Sequence, residues 1–348
     1  MTQPLSPLPD TITLSHGSGG RDMHKLLEVL VLPSLCAPSP AWGHSDSAEI
    51  AIAELAAAGD RLAFTTDGYT VSPLFFAGGN IGSLAVNGTV NDLAMSGAVP
   101  RYLSCSLIIE EGFKTAALSR ILATMREAAD SAGVRIIAGD TKVVPRGAAD
   151  GIFITTTGIG TIADGICLRA GNITPGDAVI VSGYIGDHGA AILAGRDDIH
   201  IDLTVNSDCA ALNTMVAGLL ESCPNTRLLR DATRGGIACV LNEIALDAGL
   251  GMTISDAAIP VRQAVRAGCE IFGLDPLYLA NEGTLIAVIP AAEVDTALTC
   301  LQQYPQGRSA ALIGHCIAEH PGVVALTTGF GAERVLDVPA GELLPRIC

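Results

Sequence analysis

The sequence predicts an α+β protein built in two halves. The chain has 348 residues, and a domain usually holds roughly 100–200 residues, so two domains are expected. Helical and strand patterns mix along the chain without a strict β–α–β alternation, which favours an α+β fold over a doubly wound parallel sheet. Hydrophobic residues make up 49% of the chain and charged residues 16%, so each half can bury a substantial core.

The first half contains three helical patterns and four strand patterns. Apolar residues at helical spacing predict helices over 22–32, 80–96 and 115–132. Short apolar runs predict strands over 61–66, 102–109, 134–138 and 152–161. The proline-rich residues 1–14 read as a loose arm.

The second half begins after a turn-rich junction at 171–177. Periodic apolar residues predict helices over about 207–222, 234–249, 260–272 and 291–303. Apolar runs bounded by turn residues predict strands over 178–182, 252–254, 285–289, 310–317, 322–327 and 333–336. The last residues, 341–348, show no periodicity and read as a flexible tail.

The net charge of −16 argues against nucleic acid or an anionic membrane as the main partner, because both need a basic footprint. The first ten residues lack the basic start and apolar run of a signal peptide, and no stretch approaches the roughly 18–20 apolar residues of a membrane span. None of the ten cysteines belongs to a C-x-x-C pair, so most read as small hydrophobes in a reducing cytosol. These observations predict a soluble, cytoplasmic protein.

Four aspartates stand in Gly- and Thr-rich surroundings: Asp46, Asp67, Asp92 and Asp140. Asp67 and Asp140 are each expected to follow a buried strand directly, where a carboxylate projects into a cleft. Mg²⁺ could there bridge the carboxylates to phosphate oxygens. Each aspartate could instead cap a turn or a helix. Four such sites in one half of the chain favour the metal interpretation.

Asp92 lies inside an otherwise apolar helical run, with Asn87 and Asn91 one turn apart on the same helix. Burying amides and a carboxylate is costly unless each has a partner. Either a metal or ligand site or a satisfied structural network supplies those partners.

Two glycine-rich stretches precede helices. His16-Gly17-Ser18-Gly19-Gly20 could cradle phosphate with backbone N–H groups at a helix N-terminus, although it lacks the Gly-Lys-Ser/Thr of a Walker A motif. Gly78-Gly79-Asn80 has the same character. Both stretches could also be flexible linkers.

Three further residues are candidates for chemistry. Lys142, in Asp140-Thr141-Lys142, could neutralise phosphate or shuttle a proton, or be a surface lysine. Glu282 precedes a strongly apolar run and reads as a base or as a solvated loop residue. Cys348 ends the chain on a tail with no core to enter, so its thiol could enter a cleft or be modified by a partner.

Nine motifs together resemble the HypE family of hydrogenase maturation proteins. This family lies within the wider family of aminoimidazole ribonucleotide synthetase, with selenophosphate synthetase and thiamine-phosphate kinase as relatives. The resemblance runs from about residue 12 to the last residue. The motifs occupy 16–20, 66–68, 73–76, 78–82, 87–92, 139–143, 186–189, 230–236 and the terminal Pro345-Arg346-Ile347-Cys348.

The resemblance implies a two-domain aminoimidazole ribonucleotide synthetase-like fold in a homodimer. Its N-terminal halves pair through a β-barrel, with ATP in a cleft at the dimer interface. It implies an arm and Gly-rich loop over 1–40, an ATP-binding and dimerisation domain over 41–168, a C-terminal α+β domain over 169–338 and a tail over 339–348. It also implies Mg²⁺ on Asp46, Asp67, Asp92 and Asp140, and nucleotide contacts from His16, Gly17, Ser18, Gly19, Gly20, Asn80, Asn91 and Thr141.

The implied activity is an ATP-dependent carbamoyl dehydratase, a lyase-type enzyme. The carbamoyltransferase HypF would place a carbamoyl group on Cys348, and the chain would dehydrate that thiocarboxamide to a thiocyanate. The cyano group would pass to iron on the HypC–HypD complex as a cyanide ligand for [NiFe]-hydrogenase. Glu282 and Lys142 would remove protons, or Lys142 would hold phosphate. The alternatives are a kinase or synthetase acting on a free small molecule, and a scaffold that only presents Cys348.

Overall fold

A computed structural model describes residues 7–35, 47–196, 199 and 203–338. The α-helices are α1 Arg21–Leu26, α2 Leu32–Leu35, α3 Ile52–Ala56, α4 Ile81–Met95, α5 Thr115–Ala132, α6 Asp187–Ala194, α7 Asn213–Ser222, α8 Gly236–Ala248, α9 Gln263–Phe272 and α10 Val294–Leu301. The strands are β1 Arg61–Tyr69, β2 Phe75–Phe76, β3 Gly79–Asn80, β4 Ala98–Glu110, β5 Arg135–Val144, β6 Ile152–Ile162, β7 Ala178–Val181, β8 Leu228–Asp231, β9 Gly251–Ser255, β10 Leu285–Ile289, β11 Ala311–Ile317, β12 Val324–Thr327 and β13 Glu333–Val335.

The N-terminal unit is a four-stranded sheet with strand order β1-β6-β4-β5. The strands β1, β6 and β4 pair antiparallel, and β5 runs parallel to β4. One face is covered by α4, which is buried along almost its whole length and packs against α5. Asn80 starts α4 by accepting the N–H groups of Gly82 and Ser83. Because α4 is buried on all sides, polar residues placed on it must find partners inside the protein.

The other face of this sheet carries exposed apolar side chains. Leu62 and Phe64 on β1 are 59% and 71% exposed, and Ile108 on β4 is also exposed. Among the described residues no further strand pairs with the outer edge of β1 or β5, so the sheet is open within this chain. An exposed apolar sheet face with two free edges is typical of a surface that another chain covers.

The C-terminal unit is a seven-stranded sheet with strand order β13-β12-β9-β11-β7-β10-β8. Every residue of β7 and β10 is buried. One face packs against α8 and the other against α7 and α10, which explains why these central strands are apolar at every position. Loops at one end of β7, β10 and β11 lie beside the N-terminal unit. No described helix has the length and apolar character needed to cross a bilayer.

Residues 206–212, here called the strap, join the two units. The predicted helix over 207–222 is wrong in this part, because α7 begins only at Asn213. The backbone N–H groups of the strap are satisfied elsewhere: Ser207 donates to the Ala77 carbonyl, and Leu212 donates to Asn91 Oδ1. Hydrogen bonds to residues outside the strap therefore replace the helical hydrogen bonds that its apolar spacing predicts.

Most predicted elements are confirmed, with some further differences. Strand β8, which ends at Asp231, the two-residue strands β2 and β3, and the short helix α3 were not predicted. The arm before α1 is not loose at its end, because Ile12 is fully buried and its N–H donates to the Phe113 carbonyl. Strands β1 and β5 continue through Asp67 and Asp140. The expectation that these aspartates follow buried strands is wrong, because both lie within strands at the sheet edges.

Candidate functional site

Carboxylates from both units converge around Glu282. This residue lies in the Glu282 loop, residues 279–284, directly before β10. Asp67 comes from β1, Asp92 from α4 and Asp231 from the end of β8. The charges of all three act on Glu282, as does that of Asp208 from the strap. The fold therefore gathers negative charge from four separate segments at one place.

Glu282 is 3% exposed, and its Oε1 has no hydrogen-bond partner among the described residues. Burial is the main cause that raises the pKa of Glu282 well above its usual value, and the neighbouring aspartates raise it further, Asp208 most. A carboxyl group with a raised pKa is a stronger base when ionised than a solvated one. Glu282 thus has the electrostatic environment of a proton-transfer group, and it is no solvated loop residue.

Asp92 is a half-buried carboxylate on α4. Thr65 Oγ1 donates to Asp92 Oδ2 at 2.8 Å. Burial raises the pKa of Asp92, and the charge of Asp67 adds to the effect, while Thr65 and two arginines oppose it. Mutual repulsion between Asp67 and Asp92 is the situation that a divalent cation relieves.

Asp231 belongs to the same cluster, although its sequence pattern alone does not indicate a role. Burial, then the charges of Asp92 and Asp67, raise the pKa of Asp231 to about 6. Two sequence signals nevertheless point to Asp231 as a candidate. It closely follows the apolar pair Leu228-Leu229, and it lies within the motif at 230–236. Strand β8 was not predicted, so that position was not recognised as a strand end.

Asp140 and Lys142 lie on the other face of the N-terminal sheet. Asp67 pairs with Thr156, whose hydroxyl donates to the Ala85 carbonyl of α4, so Asp67 points towards α4. Asp140 pairs with Ser106, which pairs with Thr155 and points away from α4. Three strand spacings, about 14 Å, also separate β5 from β1. Within one chain, Asp140 is not brought together with Asp67 and Asp92.

Lys142 and Asp140 form an ion pair at the exposed edge strand. Lys142 Nζ lies 2.8 Å from a carboxylate oxygen of Asp140. This hydrogen bond from Lys142, with a further one from the Thr141 N–H, lowers the pKa of Asp140. Thr141 itself is buried between them. Both side chains are exposed, as a phosphate-binding or metal-binding edge requires.

The Gly-rich loop, residues 16–20, packs against the same strand. A Cβ on Gly17 would lie 2.6 Å from the Val143 backbone nitrogen, so the loop approaches β5 more closely than another residue would permit. His16 is buried, and its Nδ1 lies 2.8 Å from Thr13 Oγ1. Ser18 and Gly19 lead to Gly20, the N-cap of α1. The Gly-rich loop therefore lies beside the part of β5 that carries Thr141 and Lys142. It lies apart from the carboxylate cluster around Glu282.

The two candidate asparagines already have partners. Asn80 caps α4 and donates through Nδ2 to Thr124 Oγ1. Asn91 Nδ2 donates to the carbonyls of Ala210 and Glu282, and its Oδ1 accepts the Leu212 N–H. Asn91 therefore belongs to a satisfied structural network, which was one of the two alternatives for the polar residues of α4, and Asn80 is the N-cap of that helix. The nucleotide contacts of both residues stay a prediction.

Two predicted residues, Asp46 and Cys348, lie outside the described residues. The described chain ends just after a contact with the residue that precedes the Glu282 loop. Leu336 is fully buried, and the Asp337 carbonyl accepts a hydrogen bond of 2.9 Å from the Tyr278 hydroxyl. Tyr278 directly precedes the Glu282 loop. The root of the C-terminal segment is thus fixed beside the segment that carries Glu282.

A cavity of about 530 Å³ opens on the strap side of the Glu282 loop. Its walls include Gly283 and Thr284, the strap residues Asp208 and Cys209, and two arginines, Arg262 and Arg308. Arg262 Nε lies 2.8 Å from the buried Asp187 carboxylate. The cavity therefore has both acidic and basic side chains in its walls, next to the carboxylate cluster. Such a lining suits a polar group carried on a peptide or a small molecule.

The described residues contain no group of three or more His, Cys, Asp or Glu side chains placed to hold a metal ion. The donor chemistry still suits Mg²⁺, because Asp67 and Asp92 are hard oxygen ligands that repel each other. Mg²⁺ is usually held by one or two carboxylates plus substrate phosphates, so a protein-only ligand set is not required.

Comparison with known proteins identifies the family. The N-terminal domain of AIR synthase related protein matches residues 45–162, and its C-terminal domain matches 174–326. A carbamoyl dehydratase HypE from Rhodobacter capsulatus is 50% identical over 339 residues, which cover 97% of this chain and 98% of that protein. The chain belongs to the HypE family. The resemblance seen in the sequence motifs is therefore confirmed, as is the α+β fold with N- and C-terminal AIR synthase domains.

Two solved structures of HypE proteins add ligand and partner context. A crystal structure of HypE in complex with ATP matches with a TM-score of 0.90 and 45% identity, covering 97% of this chain and 99% of that one. A HypE–HypF complex matches with a TM-score of 0.77 and 44% identity, covering 80% of this chain and 90% of that one.

Proposed function

We propose that this chain uses ATP to dehydrate a carbamoyl group carried on its terminal Cys348, forming a thiocyanate. The observation that carries the proposal is the hydrogen bond from Tyr278 to Asp337, which fixes the root of the C-terminal segment beside the Glu282 loop. Residues 339–348 follow that root, and ten residues span at most about 33–36 Å when extended. Glu282 is only four residues from Tyr278, so the terminal thiol has ample length to reach it.

The chemistry explains why ATP is needed. A carboxamide oxygen is a poor leaving group, so its removal as water is slow. The carbamoyl oxygen attacks the γ-phosphorus of ATP, ADP leaves, and one N–H proton is lost, giving an O-phosphorylated imidate on sulfur. The second N–H proton is then removed, the C–O bond breaks, and phosphate leaves as S–C≡N forms. The net change is loss of one water from the thiocarboxamide, coupled to conversion of ATP to ADP and phosphate.

Glu282 supplies the base in this proposal. Its buried carboxylate, raised in pKa, accepts an N–H proton from the carbamoyl group. Asp67 and Asp92 would hold Mg²⁺ together with the nucleotide phosphates, and the bound ion supplies neutralisation of phosphate charge. We assign Lys142 to the phosphates, since it is exposed on the edge strand beside the Gly-rich loop.

The site is complete only in a homodimer. Strand β5, which carries Asp140, Thr141 and Lys142, lies three strand spacings, about 14 Å, from β1, which carries Asp67. The exposed Leu62 and Phe64, with the free edges of β1 and β5, support closure of two sheets into a β-barrel. In a barrel where β5 of one copy lies beside β1 of the other, the strands that carry the two half-sites are one strand spacing apart, about 5 Å, instead of three. ATP would lie in the cleft between the two copies.

Mixing two inactive variants tests this arrangement. Asp67→Asn and Lys142→Ala homodimers are each expected to lose at least about 100-fold in dehydration rate, since each lacks half of every site. Random mixing after reversible dissociation should restore about a quarter of the wild-type sites, because half of the dimers carry one intact site. The readout is ATP-dependent loss of one water from chains carbamoylated by HypF. Mixed Asp67→Asn and Asp92→Asn chains are the control, since both residues belong to one half-site. Equal, negligible activity in both mixtures would contradict a shared site.

The surrounding biology follows from the same proposal. HypF would load the carbamoyl group, and the HypC–HypD complex would accept the cyano group for the hydrogenase iron. We propose the domain division at 1–40, 41–168, 169–338 and 339–348, in which the tail is the substrate carrier. A cytoplasmic site of action is supported by the eight cysteines of the described part, which are all free thiols.

A further inference from the structure

The strap makes hydrogen bonds to both units of the protein. On the N-terminal side, the Ser207 N–H donates to the Ala77 carbonyl at 2.8 Å, and Asn91 of α4 bonds to Ala210 and Leu212. On the C-terminal side, the Ala210 N–H donates to the Glu282 carbonyl at 3.2 Å. The strap thus lies between the helix that carries Asp92 and the loop that carries Glu282.

Asp208 makes the densest of these connections. Its Oδ1 accepts the Glu282 N–H at 2.9 Å, and its Oδ2 accepts the Gly283 N–H at 3.0 Å and the Thr284 hydroxyl at 3.1 Å. Gly283 permits this approach, because a Cβ there would collide with the Asp208 carbonyl oxygen. A half-buried carboxylate with three donors from consecutive residues fixes both the position and the orientation of that backbone.

Asn91 fixes the other end of the strap. Its Oδ1 accepts the Leu212 N–H at 2.8 Å, and its Nδ2 donates to Ala210 at 3.0 Å and to Glu282 at 3.4 Å. Asn91 is 2% exposed and directly precedes Asp92 on α4. One side chain therefore ties the helix of Asp92 to the backbone carbonyl of Glu282.

We propose that Asp208 and Asn91 are positioning residues that hold the Glu282 carboxyl group at a fixed distance from Asp92 across the boundary between the two units. The inference rests on the proposed role of Glu282 as base. Asp208 lies in the wall of the adjacent cavity, but its carboxylate oxygens accept hydrogen bonds from the Glu282 loop. Both act through the Glu282 loop, where a displacement of about 1 Å lowers the rate of a proton transfer by about 100-fold.

The first test compares rate and nucleotide affinity. Asp208→Asn retains the shape of the side chain but places an amide against backbone donors, and it should lower the single-turnover dehydration rate by about 100-fold. Asn91→Ala should lower it by about 10-fold or more. The ATP concentration for half-maximal rate should change by less than about 2-fold in both, because neither residue holds the nucleotide. A large rise in that concentration for Asn91→Ala, with an unchanged maximal rate, would assign Asn91 to ATP and overturn its positioning role.

Asn87→Ala is the matched control. Asn87 lies on the same buried helix and also reaches the strap, but only through a contact of 3.5 Å to Cys209 Sγ. It should leave the dehydration rate within about 3-fold of wild type. A loss as large as that of Asn91→Ala would show that any damage to α4 suffices, which would contradict a specific role for Asn91.

The second test is a double-mutant cycle with Glu282→Gln. If Asp208 acts only through Glu282, adding Asp208→Asn to Glu282→Gln should lower the rate no further. Multiplicative losses would mean a general structural role and would overturn the proposal. Thr284→Val, which removes one of the three donors to Asp208, should give an intermediate loss and replaces Asp208→Asn if that variant does not fold.

Amide hydrogen exchange separates this inference from the proposed function. The Glu282 and Gly283 amides should exchange at least about 10-fold faster in Asp208→Asn, whether or not the chain dehydrates a carbamoyl group. Faster exchange in the variant, with no dehydration by the wild-type protein, would contradict the proposed reaction but support the positioning of the Glu282 loop by Asp208. Unchanged exchange in a folded Asp208→Asn variant would contradict that positioning role.

Discussion

Replacing Glu282 by Gln is expected to lower the dehydration rate by about 10³-fold, with ATP affinity little changed. The amide has nearly the shape of the carboxyl group but cannot accept the N–H proton of the substrate. The measurement is single-turnover loss of water from carbamoylated chains at saturating Mg·ATP. Glu293→Gln is the matched control, because Glu293 also has a buried oxygen without a partner and lies away from the carboxylate cluster. A Glu282→Gln variant within about 5-fold of wild type would remove Glu282 from the mechanism.

The same substitution has a pH signature in stability. Burial raises the pKa of Glu282 above its unfolded value, so the folded state binds the proton more tightly than the unfolded state does. That contribution to stability is fully present below the unfolded pKa, near pH 4, and is lost as the pH rises through the folded pKa. Gln does not titrate. Glu282→Gln should therefore match wild type in free energy of unfolding near pH 4 and exceed it at pH 8, as measured by urea denaturation. Parallel pH curves would contradict the buried, perturbed carboxyl group.

Replacing Cys348 by Ala is expected to abolish the reaction, since the chain then has no thiol to carry the carbamoyl group. No mass gain should appear after incubation with HypF, carbamoyl phosphate and Mg·ATP. Cys167→Ala is the matched control, because Cys167 is the exposed free cysteine of the described part of the chain. That variant should be loaded and dehydrated as wild type is. Loading of Cys348→Ala would place the carrier thiol elsewhere.

Much of the fold follows from local sequence patterns. Helix α5, Thr115–Ala132, has an apolar stripe of period 3.6 and ends at Gly133, which adopts a φ of 70°. Strand β10 is apolar at all five positions because helices cover both faces of its sheet. In both elements, the apolar residues that predict the secondary structure are also the residues that pack into the core.

The site was predictable in residue type but not in arrangement. The sequence indicated Asp67, Asp92 and Asp140 through their motifs and Glu282 through its place before an apolar run. Pairing register alone decides that Asp67 and Asp140 point to opposite faces. The strap shows the same limit. Its apolar spacing predicted a helix, whereas its hydrogen bonds go to Ala77, Asn91 and Glu282, which are distant in sequence. Asp208 and Asp231 gain their importance only from those long-range contacts.

The most direct test of the central claim is intact-protein mass spectrometry of the wild-type chain after loading by HypF. We predict a carbamoyl mass gain on the C-terminal peptide, followed on addition of hydrolysable ATP by loss of one water from that peptide, with one ADP formed per chain converted. A non-hydrolysable ATP analogue should leave the carbamoyl form intact. ATP turnover with no change of mass at Cys348 would contradict the account and would favour a kinase or synthetase acting on a free small molecule.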